Sequence, residues 1–196
     1  MIVLASASRA RFALLENAGV KAIRVPAAID EAEIKASYRR KGAAPGVCAM
    51  ALAEAKALTV TAGRPGAFVI GADQLLDCGG TWLDKPRNRA DAGAQLRLLR
   101  ARSHELATAV CVARDGNVIW HDLQQPHLAM RDFSDAVLDA YVAGLGRDDL
   151  AAVGAYRLEG PGLQLFERVE GDYFAILGLP LLPVLAFLRA EGELPR

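Results

Sequence analysis

A short apolar run, residues 2–5, passes through Ser6-Ala7-Ser8 into a stretch with Phe12, Leu15 and Ala18 at helical spacing, and Gly19 breaks that pattern. This spacing predicts a buried strand that turns sharply into a helix N-capped by Ser8. The same opening contains a charge conflict. Arg9 and Arg11 fall in the first turn of that helix, where partial positive charge favours Asp or Glu, and no acid is present. Two solvated arginines there would cost only about a few tenths of a kcal/mol. An anion at the turn would remove the conflict altogether. Free backbone N–H groups, the two serines and the guanidinium groups together form a phosphate site. Both readings remain open on these residues alone.

Further along, residues 21–25 read as a strand closed by Pro26, and Asp30, Glu31 and Glu33 lie in the loop that follows. Residues 35–46 are polar and basic with a Pro45-Gly46 break, and read as a mobile excursion. Residues 46–62 read as a helix with Val47, Met50, Ala51 and Leu58 on its apolar face. The continuous apolar run 67–71 reads as a strand covered on both faces, ending at Ala72-Asp73. Residues 83–86 form a loop, and Asn88 or Asp91 starts a helix. Residues 104–113 and 117–121 flank Asp115-Gly116, a strong hairpin signal, and residues 128–131 extend it as a third strand. Ser134 caps a helix to about Ala143, residues 164–169 form a strand, and Pro180 opens a final helix ending near Glu191. Strands mixed with helices around one antiparallel meander argue for an α/β or mixed α+β fold with a mixed sheet.

A length of 196 residues with no convincing interior linker suits a single domain over residues 1–196. Hydrophobic residues at 53% and charged residues at 23% require a folded core. Lys plus Arg equals Asp plus Glu at 23 each, which argues against bulk DNA or RNA as a partner, so any positive potential must be local. Cys48, Cys78 and Cys111 form no CxxC and no metal-ligand spacing with His, and read as buried, reduced thiols of a cytoplasmic protein. The first residues lack the basic start and cleavage site of a signal peptide. The longest apolar run, 174–188, is broken by Pro180 and Pro183 and is shorter than the roughly 18 residues of a membrane span.

Walker A, GxGxxG, GxSxG and HExxH are all absent, and the three histidines are scattered. Asp73 is the sharpest single residue. At the carboxyl end of a central strand, where ligand sites of open sheets collect, a carboxylate can hold a metal ion or orient a water. The plain alternative is an Asp that starts a turn. Lys85, in a Lys-Pro loop, and Lys56, in an Ala-rich helix, could bind phosphate oxygens or simply be solvated. Glu31 could supply a second carboxylate to a metal, or belong to a solvated acidic loop. Glu159 accepts hydrogen bonds only, which suits the two adjacent donors of guanine's pairing edge and not uracil or thymine. Its plain alternative is a salt bridge with Arg157 or Arg168. Together these residues suggest a triphosphate held by Ser6, Ser8, Arg11, Lys56 and Lys85, with Asp73 and an acidic partner handling metal and water.

In this order the motifs resemble those of the Maf family of nucleoside triphosphate pyrophosphatases, over nearly the whole chain. The series is Leu4-Ala5-Ser6-Ala7-Ser8-Arg9-Ala10-Arg11, Asp30-Glu31, Lys56-Ala57, Gly71-Ala72-Asp73, Lys85-Pro86, Gly154-Ala155-Tyr156, Gly171-Asp172-Tyr173 and Gly178-Leu179-Pro180. The resemblance implies hydrolysis of a nucleoside triphosphate to the monophosphate and pyrophosphate with a divalent cation, Mg²⁺, Mn²⁺ or Co²⁺. It implies Asp73 as proton acceptor, Arg11, Lys56 and Lys85 on the phosphates, and Glu31 with Asp73 at the metal. It implies an elongated, twisted mixed sheet with two lobes around a nucleotide-binding cleft, similar to inosine triphosphatases, and for many members a homodimer. The chain departs from the family pattern at Arg9-Ala10, where Pro-Arg is usual, and at Ala151-Ala152-Val153, where Asp-Lys-Ala is usual. Arg11, Gln74 and Glu159 match positions associated with substrate choice. Gln74 and Glu159, with Leu165-Phe166-Glu167-Arg168, resemble the branch that prefers 7-methyl-GTP. A competing expectation is a nucleotide-binding inhibitor of septum formation and cell division. Another is an enzyme acting on inosine-type triphosphates.

Overall fold

A computed structural model describes residues 1–195. The opening follows the apolar pattern. Strand β1 (Ile2–Leu4) leads through the serine turn into helix α1 (Arg9–Asn17), and the Ser8 side chain accepts from Arg11 N as the N-cap. No acid stands in the first turn of α1. Strand β2 (Ala22–Arg24) follows, then helix α2 (Glu31–Arg40) and helix α3 (Pro45–Thr61). Next come strand β3 (Phe68–Cys78), strand β4 (Thr81–Leu83) and helix α4 (Arg89–Leu99), N-capped by Asn88. The meander is β5 (Ser103–Arg114), β6 (Asn117–Gln124) and β7 (His127–Met130). Asp115 and Gly116 both take positive φ at the β5–β6 turn, as a tight hairpin requires. Helix α5 (Asp135–Gly144), capped by Ser134, and the short helix α6 (Arg147–Leu150) precede two 3₁₀ turns, Val153–Ala155 and Pro161–Leu165. Strand β8 (Phe166–Glu170), the single-turn helix α7 (Tyr173–Ile176) and helix α8 (Leu181–Ala190) complete the described chain.

The fold is a mixed α/β architecture. Eight strands form one mixed sheet in the order β2-β1-β3-β5-β7-β8, with β4 paired to β3 and β6 paired to β5. The chain divides into two compact units, and the divisions fall inside β3 and β5.

The first unit comprises Met1–Gln74, Thr108–Gln124 and the chain from Asp172 onward. Here β1 lies between β2 and β3 and is parallel to both, with Leu4 opposite Arg24 and Ile70. Alternation sends Ile2, Leu4, Phe68, Ile70, Val110 and Val112 to one face, where they pack against Leu15 of α1 and Leu181, Val184 and Leu188 of α8. Each fully buried Leu or Val of that layer contributes about 1.5–3 kcal/mol. The opposite face receives α3. A Cβ on Gly71 would stand 2.0 Å from the Ala53 carbonyl oxygen, so only glycine permits α3 to approach β3 this closely.

The second unit comprises Leu75–Ala107 and Gln125–Gly171. It contains the β3–β4 hairpin, turned by Gly79 and Gly80 at positive φ, and the antiparallel set β5-β7-β8. Helices α4 and α5 pack together, and Leu96, Leu99, Leu106, Leu128, Phe133 and Leu138 are buried.

Four expectations need correction. Helix α3 buries Cys48, Ala49, Leu52, Ala53 and Val60 and leaves Val47 and Leu58 exposed, so its core face is not the one the apolar spacing suggests. Glu31, Glu33 and residues 35–40 are not loop but helix α2, N-capped by the Asp30 side chain on Glu33 N. Its acids sit in the first turn and Arg39 and Arg40 in the last, so the charge order matches the helix dipole. Asp73 is not at the carboxyl end of its strand, because β3 continues to Cys78. The parallel ladder with β1 does stop at Ile70, so Asp73 lies just beyond the carboxyl end of β1. Leu83 closes strand β4 rather than opening the loop.

Candidate functional site

The first unit contains seven of the anticipated residues, Ser6, Ser8, Arg11, Glu31, Lys56, Asp73 and Gln74. Ser6 Oγ accepts from Ser8 N at 3.2 Å and from Arg11 Nη1 at 3.5 Å. Arg11 Nε donates to the Gly178 carbonyl at 2.7 Å, and Nη1 donates to the Ala72 carbonyl at 3.0 Å. Gly178 has φ +104, and that backbone turn aims its carbonyl region at Arg11. Burial lowers the Arg11 pKa, and Asp73 and then Glu31 oppose that fall by charge. The guanidinium stays charged, since its intrinsic pKa is far above neutral. Arg11 thus ties α1 to the backbone next to Asp73 and to the loop before α8.

Asp73 projects from β3 and Lys56 from α3, brought together by the close approach at Gly71. Lys56 Nζ donates to Asp73 Oδ1 at 2.6 Å and pairs with Glu31 Oε1 at 2.9 Å. The Lys56 and Asp73 side chains are each 8% exposed, whereas Glu31 is 46% exposed. The second carboxylate oxygen, Asp73 Oδ2, is buried and has no hydrogen-bond partner among the described residues. Such an atom is costly to leave unmade, by about 1–3 kcal/mol or more for a charged group. It is also the atom a water, a ligand or a cation would complete.

Next to Asp73, the Gln74 amide Nε2 faces three acceptors: Thr108 Oγ1 at 2.8 Å, the Ala175 carbonyl at 2.9 Å and the Ile176 carbonyl at 3.1 Å. Thr108 in turn donates to the Ala175 carbonyl at 3.0 Å. The donors of Gln74 are therefore consumed and its acceptor Oε1 remains. Sequence reasoning missed Thr108. Its signal was a lone hydroxyl in the apolar run 104–113.

Lys85 and Glu159 belong to the second unit. Lys85 is exposed in the segment after β4, beside the buried Pro86. Glu159 follows the first 3₁₀ turn, its side chain 37% exposed, with Arg157 Nη1 at 3.9 Å. Arg157 is held more tightly by Asp149, Nε to Oδ1 at 2.9 Å. Arg168 pairs with Glu170 instead.

No cluster of three or more His, Cys, Asp or Glu side chains fit for a metal occurs among the described residues. Two carboxylates, Asp73 and Glu31, share Lys56. That set fits a hard divalent cation that takes one or two protein carboxylates and fills its shell with water and substrate phosphates. The unpartnered Asp73 Oδ2 supports the fit. No helix among the described residues is long and apolar enough to cross a membrane.

Comparison with known proteins gives a consistent result. Residues 1–191 match a family model described as Maf-like protein. A protein of Granulibacter bethesdensis named nucleoside triphosphate pyrophosphatase is 50% identical over 193 residues, covering 98% of each chain. One of the same name from Paramagnetospirillum magneticum is 50% identical over 192 residues, 98% of this chain and 99% of that one. A Brucella abortus protein named 7-methyl-GTP pyrophosphatase is 46% identical over 190 residues, 97% of this chain and 96% of that one. With the ordered motifs now placed on β1, α1, α3 and β3, and with similarity running through both units, the chain belongs to the Maf-like protein family.

Proposed function

We propose that this chain is a nucleoside triphosphate pyrophosphatase that releases pyrophosphate and a nucleoside monophosphate, with 7-methyl-GTP as its preferred substrate. The observation that carries the reading is the division of labour within Asp73. One oxygen is fixed by Lys56 at 2.6 Å, and the other is buried without a hydrogen-bond partner among the described residues, so a water held in the site would complete it. A carboxylate beside a phosphate site has a use in hydrolysis that mere binding does not require, since it can accept the proton of an attacking water.

Asp73 Oδ2 orients a water and accepts its proton as the water oxygen attacks the α-phosphorus. Lys56 holds the carboxylate through Oδ1 and so fixes the direction of its other oxygen. The Ser6–Ser8 turn and the N–H groups of α1 receive phosphate oxygens. Arg11 supplies positive charge there, and the family resemblance adds Lys85, in the second unit, as a further cation for the departing pyrophosphate. A divalent cation bound by Glu31 and Asp73 would neutralise phosphate charge. An acceptor such as Gln74 Oε1, or the carboxylate of Glu159 in the second unit, suits a base that presents donors on its pairing edge, as guanine does. Names borne by similar proteins support the same reaction class, and one of those cited is a 7-methyl-GTP pyrophosphatase. The three free, buried thiols support a reducing, cytoplasmic setting. Pyrophosphate release measured over 7-methyl-GTP, GTP, UTP, dTTP and ITP tests the reading. Preference for UTP or dTTP overturns the base assignment, and no release from any of them overturns the enzyme.

A further inference from the structure

Within the second unit, a buried polar pair stands apart from the chemistry above. His104 Nε2 lies 2.7 Å from the Tyr156 hydroxyl, and the two residues are 3% and 4% exposed. The Tyr156 ring meets Phe166 edge-on with centroids 4.8 Å apart. His104 Nδ1 is buried with no hydrogen-bond partner among the described residues. Immediately before Tyr156, Ala155 takes φ +58, a left-handed conformation that costs a non-glycine residue about 1–2 kcal/mol. Gly154 must be glycine, since its Cβ would fall 2.6 Å from the Tyr156 ring.

Packing alone requires none of this. A leucine at 104 with a phenylalanine at 156 would fill the core without an orphaned nitrogen, and a glycine at 155 would remove the strain. Strained backbone and unsatisfied buried groups persist where the surroundings over-determine a geometry that has a use. What this arrangement fixes is the path of the next residues. The Ala155 carbonyl accepts from Tyr141 Oη at 3.1 Å. Arg157 is tied to Asp149, and the Gly162 backbone presses against it so closely that a Cβ would lie 2.7 Å from the Arg157 carbonyl oxygen. Leu158 is buried. Glu159 emerges directly from this clamped run.

We infer that His104, through its hydrogen bond to Tyr156, is a positioning residue for substrate selection: it holds the 155–158 segment so that Glu159 presents its carboxylate to the base in one fixed geometry. The inference rests on the proposed role of Glu159 in reading the base. It assigns to His104 and Tyr156 no contact with substrate.

The test is binding selectivity, measured by calorimetry as the ratio of dissociation constants for UTP and 7-methyl-GTP. It is made in an Asp73→Asn background so that turnover does not intervene. Replacing both members of the pair, His104→Leu with Tyr156→Phe, removes two polar partners together, which leaves stability close to the parent. This double variant is expected to melt like the parent yet lose selectivity by about tenfold, the equivalent of one misplaced hydrogen bond. Adding Glu159→Gln to it should lower the ratio no further than Glu159→Gln does alone. A stable double variant with parental selectivity overturns the inference, as does a triple variant in which the two losses simply multiply. A Glu159→Gln single variant with unchanged selectivity overturns it too, and shows that the failure lies in the base reading. Hydrolysis is judged separately, by pyrophosphate release from the unsubstituted protein.

Discussion

Lys56 Nζ stands 2.6 Å from Asp73 Oδ1, with both side chains 8% exposed, and the pair joins helix α3 to strand β3. Glu31, from the first turn of α2, shares the same ammonium at 2.9 Å. One buried cation therefore organises residues contributed by three elements. The proposed chemistry depends on that cation staying in place.

Removing the cation should be costly for the fold. Lys56→Met strands the Asp73 carboxylate in a buried site, and breaking such a pair destabilises by about 3–5 kcal/mol. Urea unfolding should show that loss, and the double variant Lys56→Met/Asp73→Asn should recover part of it. A loss under about 1 kcal/mol would mean that solvent already screens the pair.

The same pair depends on a glycine. Gly71→Ala places a methyl group 2.0 Å from the Ala53 carbonyl and 2.9 Å from the Ala57 Cβ, so α3 must move off β3. Overpacking of this kind costs about 1–3 kcal/mol, and more when the backbone cannot yield. Because Lys56 rides on α3, turnover should fall more steeply than stability. Parental turnover in a soluble Gly71→Ala protein would show that the close approach does not set the Lys56–Asp73 geometry.

How much of this was legible in the sequence depends on the kind of signal. The serine turn, the Ser8 cap, the Asp115-Gly116 hairpin and the Asn88 and Ser134 caps are local chemistry, and each stands where its residues require. Helix α2 was missed because it buries none of its residues, so no apolar stripe marks it. Only the capping Asp30 and the acid-then-base order of its ends betray it. The extent of β3 was missed because Asp73-Gln74 interrupts an apolar run, as polar chemistry inserted into a strand does. Lys56 read as either a phosphate ligand or a solvated lysine. Its burial between two carboxylates depends on tertiary contact across Gly71, which no spacing reveals. The Thr108–Gln74–Ala175 bonds likewise join residues far apart in the chain.

His104 makes stability depend on pH in a defined window. Burial lowers its pKa from 6.5 to about 4. Between those values the unfolded chain binds a proton that the folded chain refuses, so stability rises with pH. The contribution is fully present above about pH 6.5 and is lost as pH falls toward 4, on the order of 3 kcal/mol in all. Carboxylates elsewhere add their own slope, so the readout is the difference between the parent and His104→Leu/Tyr156→Phe. Unfolding free energies at pH 7.5 and pH 4.5 should converge on losing the pair. Equal pH slopes in the two proteins would show that His104 titrates normally.

The most direct measurement of the central claim is pyrophosphate release from 7-methyl-GTP with Mg²⁺ or Mn²⁺, comparing the parent with Asp73→Asn. Asparagine keeps the shape of the side chain and removes the proton acceptor. The account predicts that the parent releases pyrophosphate, and that the variant binds the nucleotide, stays folded and loses at least about a hundredfold in rate. Near-parental release by Asp73→Asn would contradict the assignment of Asp73 as the base.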